Sequence, residues 1–258
     1  MKQEQVKIKA TLPIMLKNLG LPTFYRLWEQ TASEADSQGW GCARYLQGLA
    51  DHELIERHSR RIARHMKESQ LPRGKSFSTF NFNHVPMVNK TQVLNLGNGV
   101  AWLEQGANIL IFGPSGVGKT HLASAIGTAL IENGFRALFK RTTEIVQKLL
   151  AAKKELQLPQ ALDKLDKYDC LILDDFGYVK KNLVETNVLF ELISERYERK
   201  SLLITCNQPF GEWDTIFQDK AMTVAAIDRL VHYSTIIEIN KESYRKEEAL
   251  KNRKTNSQ

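Results

Sequence analysis

A glycine-rich segment in the middle of the chain has the residue types needed to bind phosphate. Gly113-Pro-Ser-Gly-Val-Gly-Lys-Thr120 fits the pattern G-x-x-x-x-G-K-[ST] and lies between an apolar run and a helical one. Glycines let such a loop curl with its N–H groups toward phosphate oxygens, and the start of the next helix favours negative charge. We expect Lys119 to contact the β- and γ-phosphates and the Thr120 hydroxyl to bind Mg²⁺. The predicted nucleotide-binding residues are Gly113, Pro114, Ser115, Gly116, Val117, Gly118, Lys119, Thr120 and His121.

Two consecutive carboxylates follow a second apolar run. Leu171-Ile-Leu-Asp-Asp175 is a predicted buried strand that ends in two acids, which is the Walker B form. We expect Asp174 to hold Mg²⁺, directly or through water, and Asp175 to polarise the water that attacks the γ-phosphate. A solvated turn is the alternative interpretation of two adjacent acids, and the phosphate loop upstream disfavours it.

Two further polar residues could complete a hydrolytic site. Asn207 follows the apolar run 202–205, and its amide could orient the attacking water, although Asn-x-Pro is also a common turn. Arg229 lies on a predicted helix before the last apolar run, where it could enter a neighbouring subunit's site as an arginine finger. An intramolecular Asp–Arg pair or a surface pair is the alternative for Arg229. The candidate catalytic residues are Asp175, Asn207 and Arg229, and the candidate metal ligands are Thr120 and Asp174.

The elements that must position these residues have an α/β pattern. From about residue 107, short apolar runs alternate with segments of helical periodicity, which predicts a parallel sheet covered by helices on both faces. The predicted strands are 108–112, 137–141, 170–173, 202–205 and 235–239. The predicted helices are 118–131, 143–153, 184–199 and 221–232.

The first third of the chain has a different pattern. Its periodicity predicts helices separated by the turn-rich residues 37–41, with no convincing strand. Leu71-Pro-Arg-Gly-Lys75 ends the last of these helices, and Phe77, Phe80 and Phe82 follow as an aromatic connector. We therefore predict a small all-helical domain over residues 1–75 and a nucleotide-binding domain over residues 76–258.

Positive charge is concentrated in this helical part. The chain has 36 basic and 29 acidic side chains and a net charge of +7, and residues 1–76 contain 13 of the basic and 8 of the acidic ones. A basic module on a nearly neutral body favours nucleic acid as a partner. A solvated basic face or a protein-binding face is the alternative. The candidate DNA-contacting residues, spaced at helical intervals of three and four, are Arg57, Arg60, Arg61, Arg64 and Lys67.

Composition excludes several classes of protein. With 42% hydrophobic and 25% charged residues, the chain has the balance of a soluble globular protein rather than a disordered one. No apolar run approaches the roughly 20 residues that span a bilayer, so we expect no membrane association. The polar N-terminus predicts no signal peptide, and three scattered cysteines without a C-x-x-C pair are typical of a cytoplasmic protein.

The motifs and their order resemble those of the IstB family, the ATP-binding helper proteins encoded beside the transposase in certain bacterial insertion sequences. The resemblance covers nearly the whole chain. Its segments are Leu16-Lys-Asn-Leu-Gly-Leu21, Gly118-Lys-Thr-His-Leu-Ala123, Ser194-Glu-Arg-Tyr197, Asp228-Arg-Leu-Val-His232 and Ser243-Tyr-Arg245. The family is close to DnaC, the loader of the replicative helicase, and shares its AAA+ ATPase core.

The resemblance implies an AAA+ P-loop NTPase fold with sheet order 5-1-4-3-2 and homo-oligomers with ATP at subunit interfaces. It also implies ATP-dependent binding of double-stranded DNA, largely without sequence specificity, by an assembly that stimulates a cognate transposase and helps to choose the target. A DnaC-type helicase loader is the alternative function. A small-molecule P-loop kinase is disfavoured because no acceptor site or lid is evident.

The chain departs from the general AAA+ pattern in two places. Asp175 stands where Glu is commoner, which shortens the reach of the carboxylate and leaves the rate of hydrolysis open. Fewer than 20 residues follow the last predicted strand. We expect that to be too few for the usual helical lid and its second sensor arginine.

Overall fold

The chain divides into two compact units, Met1–Arg64 and His65–Gln258. The computed structural model describes residues 2–177, 183–217, 219–241 and 244, and of these it leaves undescribed the side chains of 2–9, 214 and 215. The division falls before residue 75, the boundary that the sequence suggested. The helix Cys42–Ser69 crosses this division: its residues from His65 on belong to the second unit, in which His65 Nδ1 lies 3.2 Å from the Phe135 carbonyl oxygen.

The first unit is helical, as predicted, with helices α1 (Lys2–Asn18), α2 (Pro22–Gln38) and α3 (Cys42–Ser69). Proline at the first position of α2 has no N–H to leave unpaired. Gly39 ends the same helix in the left-handed conformation, with φ 65°. These two residues account for the sharp breaks between the helices.

Glu53 ties the first unit together. Its buried carboxylate accepts the Thr23 N–H at 2.8 Å at the start of α2, and it pairs with Arg57 Nε at 2.7 Å and Arg60 at 3.1 Å. Burial raises the pKa of Glu53, but the hydrogen bonds from Arg57 and Thr23 and the Arg57 charge outweigh it and lower the pKa to about 2. Since the usual value is 4.5, ionised Glu53 stabilises the fold above pH 4.5, and this contribution is lost as the pH falls toward 2.

The second unit is an α/β domain. Its helices within the described residues are α4 (Lys90–Asn98), α5 (Val100–Glu104), α6 (Lys119–Glu132), α7 (Thr142–Lys154), α8 (Leu158–Asp166), α9 (Leu183–Arg196) and α10 (Lys220–Val231). Its strands are β1 (Asn108–Phe112), β2 (Ala137–Arg141), β3 (Cys170–Asp174), β4 (Ser201–Cys206) and β5 (Ser234–Glu238). The five predicted strands are confirmed within one residue at each end.

The strands form one parallel sheet in the order β2-β3-β4-β1-β5. Read from the other edge this is the predicted order 5-1-4-3-2. Leu110, Ile111, Leu171 and Ile172 are fully buried, because helices cover both faces of a parallel sheet. The carboxyl ends of β1, β3 and β4 therefore meet at one edge, where such sheets bind ligands.

Several helical details differ from the sequence prediction. Helices α4, α5 and α8 were not predicted, and α9 ends at Arg196 rather than residue 199. The helix ends there because Glu198 has a left-handed backbone, with φ 56°, and the N–H groups of Arg199 and Lys200 turn back to the Arg196 carbonyl oxygen at 3.0 and 2.9 Å. The residues after β5 that would form a lid lie mostly outside the described part, so the lid expectation stays a prediction. No helix within the described residues is both long enough and apolar enough to span a membrane.

Candidate nucleotide-binding site

The phosphate loop joins the end of β1 to the start of α6. Gly113 has φ 151°, and a Cβ added there would lie 2.4 Å from the Ile239 carbonyl oxygen, so this position requires glycine. Lys119, only 7% exposed, donates to the carbonyl oxygens of Gly113 at 2.7 Å and Pro114 at 2.8 Å. These bonds hold the lysine ammonium inside the curl of the loop, where the phosphates of a nucleotide would lie.

The two candidate metal ligands are in direct contact. Asp174 ends β3 and is 4% exposed, and the Thr120 hydroxyl donates to its two carboxylate oxygens at 3.0 and 3.1 Å. Mg²⁺ prefers oxygen ligands such as a hydroxyl, a carboxylate and phosphate oxygens. A hydroxyl and a carboxylate oxygen that already lie side by side at the phosphate loop fit this requirement.

Asp175 and Asn207 lie together beside the loop. Both line one cavity of about 470 Å³ with the phosphate loop. Asp175 has a left-handed backbone, with φ 56°, which is uncommon outside glycine but is tolerated by Asp and Asn. A Cβ added at Gly177 would lie 3.3 Å from Asn207 Oδ1, so the segment after Asp175 packs closely on the end of β4. The carboxylate and the amide can therefore face the same ligand.

The opposite wall of the cavity comes from residues that the sequence analysis did not assign. The volume of the whole cavity is in the range of ordinary small-ligand sites. The Phe80 ring packs edge-on against His121, with centroids 5.2 Å apart, and the Tyr244 N–H donates to the Gly116 carbonyl at 3.1 Å. Two sequence signals touched on this wall, the aromatic connector that contains Phe80 and the segment Ser243-Tyr-Arg245 that contains Tyr244. The added lining residues are Lys75, Thr79, Phe80, Asn81, His84, Val85 and Tyr244. The predicted lining residues are Ser115, Gly116, Val117, Gly118, Lys119, Thr120, His121, Asp175 and Asn207.

His121 connects this wall to the phosphate loop. Its Nε2 lies 3.0 Å from Thr79 Oγ1 and 3.3 Å from the Ser76 carbonyl oxygen. Burial lowers the pKa of His121; the Lys75 charge acts in the same direction, and the hydrogen bond with Ser76 opposes them. These effects together favour the neutral imidazole. Tyr244 belongs to the segment Ser243-Tyr-Arg245, of which Ser243 and Arg245 lie outside the described residues.

Arg229 is not brought to this cavity. Within the described part of the chain it does not line the site. Its guanidinium lies over the Phe190 ring, 4.9 Å from the centroid, and donates to the Ala225 carbonyl at 3.2 Å. None of the ion pairs of the described residues includes Arg229, so they do not support the alternative of an intramolecular Asp–Arg pair or a surface pair. The role of Arg229 in a neighbour's site therefore stays a prediction.

The five candidate DNA-contacting residues all lie on α3 and are exposed. Two of them also hold the fold together, because Arg57 and Arg60 pair with Glu53 and Arg57 donates to the Gly20 carbonyl at 2.7 Å. Arg61 contacts His58 Nδ1 at 3.2 Å. Arg61, Arg64 and Lys67 are therefore the ones that can be changed without breaking the Glu53 cluster.

A parallel sheet of this order, with the Walker A segment after β1 and the Walker B segment at the end of β3, on either side of β4, defines an AAA+ P-loop ATP-binding protein. Solved structures show the same fold. DnaI matches 66% of this chain and 95% of its own, with 20% identity and a TM-score of 0.55. AMPPCP-bound DnaA from Aquifex aeolicus matches 66% of this chain and 51% of its own, with 18% identity and a TM-score of 0.54.

Within that class, the chain belongs to the family of IstB-like ATP binding proteins, whose model matches residues 14–252. It is 60% identical to an insertion-sequence ATP-binding protein of Sinorhizobium fredii, over 94% of this chain and 81% of that one. It is 33% identical to the IS21 insertion-sequence ATP-binding protein of Pseudomonas aeruginosa, over 93% of this chain and 90% of that one. The resemblance noted from the motifs is thus confirmed.

Proposed function

We propose that this protein is a Mg²⁺-dependent ATPase that binds double-stranded DNA in its ATP-bound state and assists the transposase of an insertion sequence. The observation that carries the proposal is the meeting of Lys119, the Thr120–Asp174 pair, Asp175 and Asn207 at one edge of the sheet. The insertion-sequence names of the relatives supply the cellular context.

The residues divide the chemistry among them. Lys119 and the loop N–H groups bind the β- and γ-phosphates, and Thr120 and Asp174 hold Mg²⁺, which neutralises phosphate charge when bound. Asp175 accepts a proton from the attacking water, and Asn207 orients that water. Arg229 of a neighbouring subunit stabilises the charge that develops at the γ-phosphoryl group. This division requires a homo-oligomer with ATP at the subunit interfaces.

The basic stripe on α3 supplies the contact with DNA. Five exposed cations at helical spacing can track phosphates without reading bases, which gives binding that is largely independent of sequence. Arg61 and Arg64 lie one turn apart and are outside the Glu53 cluster. They are the sharpest test of this surface.

Replacing Arg61 and Arg64 by glutamine is expected to weaken DNA binding equally on unrelated sequences. Each lost phosphate contact should reduce the slope of log affinity against log salt by about 0.9. The measurement is duplex affinity at several salt concentrations. Arg44→Gln, an exposed arginine at the other end of α3, is the matched control and should keep the wild-type slope. A double variant with an unchanged slope would place the DNA surface elsewhere.

The transposase role is tested by strand transfer. The purified protein is mixed with the transposase encoded in the same insertion sequence, ATP and target DNA, and strand-transfer products are counted. We expect products to increase with wild-type protein and not with Lys119→Ala. Equal product in its absence would reject the proposal, and loading of the replicative helicase without any effect on the transposase would favour the DnaC-type function.

A further inference from the structure

The Thr205 hydroxyl joins the two Walker B carboxylate residues. Thr205 lies near the end of β4 and is fully buried. Its Oγ1 donates to Asp174 Oδ1 at 2.6 Å and accepts the Asp175 N–H at 3.0 Å. Its carbonyl oxygen also accepts the Phe176 N–H at 2.9 Å. Three consecutive residues, beginning with the last residue of β3, are therefore held by one threonine of the adjacent strand.

These bonds fix the direction of both acids. The Thr205 hydroxyl has a single proton, which it donates in the hydrogen bond to the Asp174 carboxylate. The lone pairs of the hydroxyl oxygen are then free to accept the Asp175 N–H. The Asp174 carboxylate is thereby held against the Thr120 hydroxyl. Asp175 has a left-handed backbone, which costs energy for a residue other than glycine. The hydrogen bond from its N–H to the Thr205 hydroxyl oxygen helps to hold the backbone in this conformation.

We infer that Thr205 is a positioning residue for ATP hydrolysis: it holds Asp174 in place for Mg²⁺ and aims Asp175 at the attacking water. The inference rests on the proposed ATPase function. Within the described residues Thr205 does not line the nucleotide cavity, so it acts through the two acids rather than on the nucleotide. Hydrogen-bond partners of metal ligands of this kind change metal affinity or activity by about 10- to 100-fold when they are removed.

The test compares Thr205→Val, which keeps the shape but lacks the hydroxyl, with Thr205→Ser, which keeps the hydroxyl. For Thr205→Val we expect unchanged ATP affinity without Mg²⁺ and about a tenfold higher Mg²⁺ concentration for half-maximal tightening of ATP binding. At saturating Mg²⁺ we expect a kcat about 10- to 100-fold lower and a KM within about threefold of wild type. Thr205→Ser should restore both quantities to near wild type.

Thr142→Val is the matched control. The Thr142 hydroxyl is also buried beside Asp174, but it donates to the backbone carbonyl, at 2.9 Å, and not to the carboxylate. The Thr142→Val variant should have a lower Tm than wild type and a wild-type Mg²⁺ dependence of ATP binding. If Thr205→Val fails to fold, Thr205→Ala is measured in the same way.

Two results would overturn the inference. One is a wild-type Mg²⁺ dependence and kcat in the folded variant that lacks the hydroxyl. The other is a defect in Thr205→Ser as large as that in Thr205→Val. A wild-type protein that binds ATP but does not hydrolyse it would instead reject the proposed ATPase function, and the Mg²⁺ dependence of binding would still decide the role of Thr205.

Discussion

Lys119→Ala is expected to lose tight ATP binding, with a Kd at least about 100-fold higher than that of wild type. Charge-assisted contacts to phosphate are worth about 3 kcal/mol, which corresponds to that factor. The effect should be large here because the ammonium is held in the loop and nearly buried. Fluorescent-nucleotide titration measures the Kd, and Lys148→Ala, an exposed lysine on α7, is the matched control.

Asp175→Asn should separate binding from chemistry. The variant is expected to keep ATP affinity within about threefold, because an amide replaces the carboxylate without loss of volume, while turnover falls by about 10²- to 10⁴-fold. Near-normal ATP affinity in folded Lys119→Ala would contradict the assignment of the phosphate site. Loss of ATP binding in Asp175→Asn would contradict the division of roles.

Arg229→Ala is expected to bind ATP normally and to lose about 10³- to 10⁵-fold in turnover, as is typical of an arginine finger. Binding should persist because Arg229 does not line the cavity of its own subunit within the described residues. The activity per subunit of wild type should rise with protein concentration, since each site needs a neighbour. Lys220→Ala, an exposed cation at the other end of α10, should keep full activity.

Mixing Arg229→Ala with Lys119→Ala tests whether the arginine acts in trans. In a mixed assembly some interfaces combine the intact Lys119 of one subunit with the intact Arg229 of its neighbour. Part of the ATPase activity should therefore return. Mixtures that co-assemble by native mass spectrometry but stay inactive at every ratio would exclude a role in trans.

The sequence predicted those features that depend on local pattern. Short apolar runs identified the strands, although in 137–141 only the first three residues are apolar. The phosphate loop and the Asp174–Asp175 pair were predicted from their spacing. Helix α8 was missed because its pattern is only nine residues long. The boundary near residue 75 followed the helix-breaking Leu71–Lys75 segment, whereas the compact units divide within α3, whose residues from His65 on belong to the second unit.

Other parts of the site depend on contacts between distant segments and could not be predicted from one sequence. Phe80, His84 and Tyr244 reach the phosphate loop only through the folded chain, which brings residues more than 100 positions apart to one cavity. Thr205 could not be assigned from the sequence for the same reason. In the sequence it is a threonine in an apolar strand, and only the pairing of β3 with β4 places it beside Asp174. The ion pairs of Arg57 and Arg60 with Glu53 could likewise not be predicted, because in the sequence both arginines belong to a run of basic residues.

DNA binding measured with ATP, with ADP and without nucleotide tests the central claim most directly. Anisotropy of two unrelated labelled duplexes gives the Kd in each state, with Asp175→Asn used to keep ATP intact. We predict binding to both duplexes with ATP that is at least about tenfold tighter than with ADP or no nucleotide, within the usual range of coupling between two sites. Lys119→Ala should show only the weak affinity. Equal Kd values in all three nucleotide states, or no binding to either duplex, would contradict an ATP-controlled DNA-binding function.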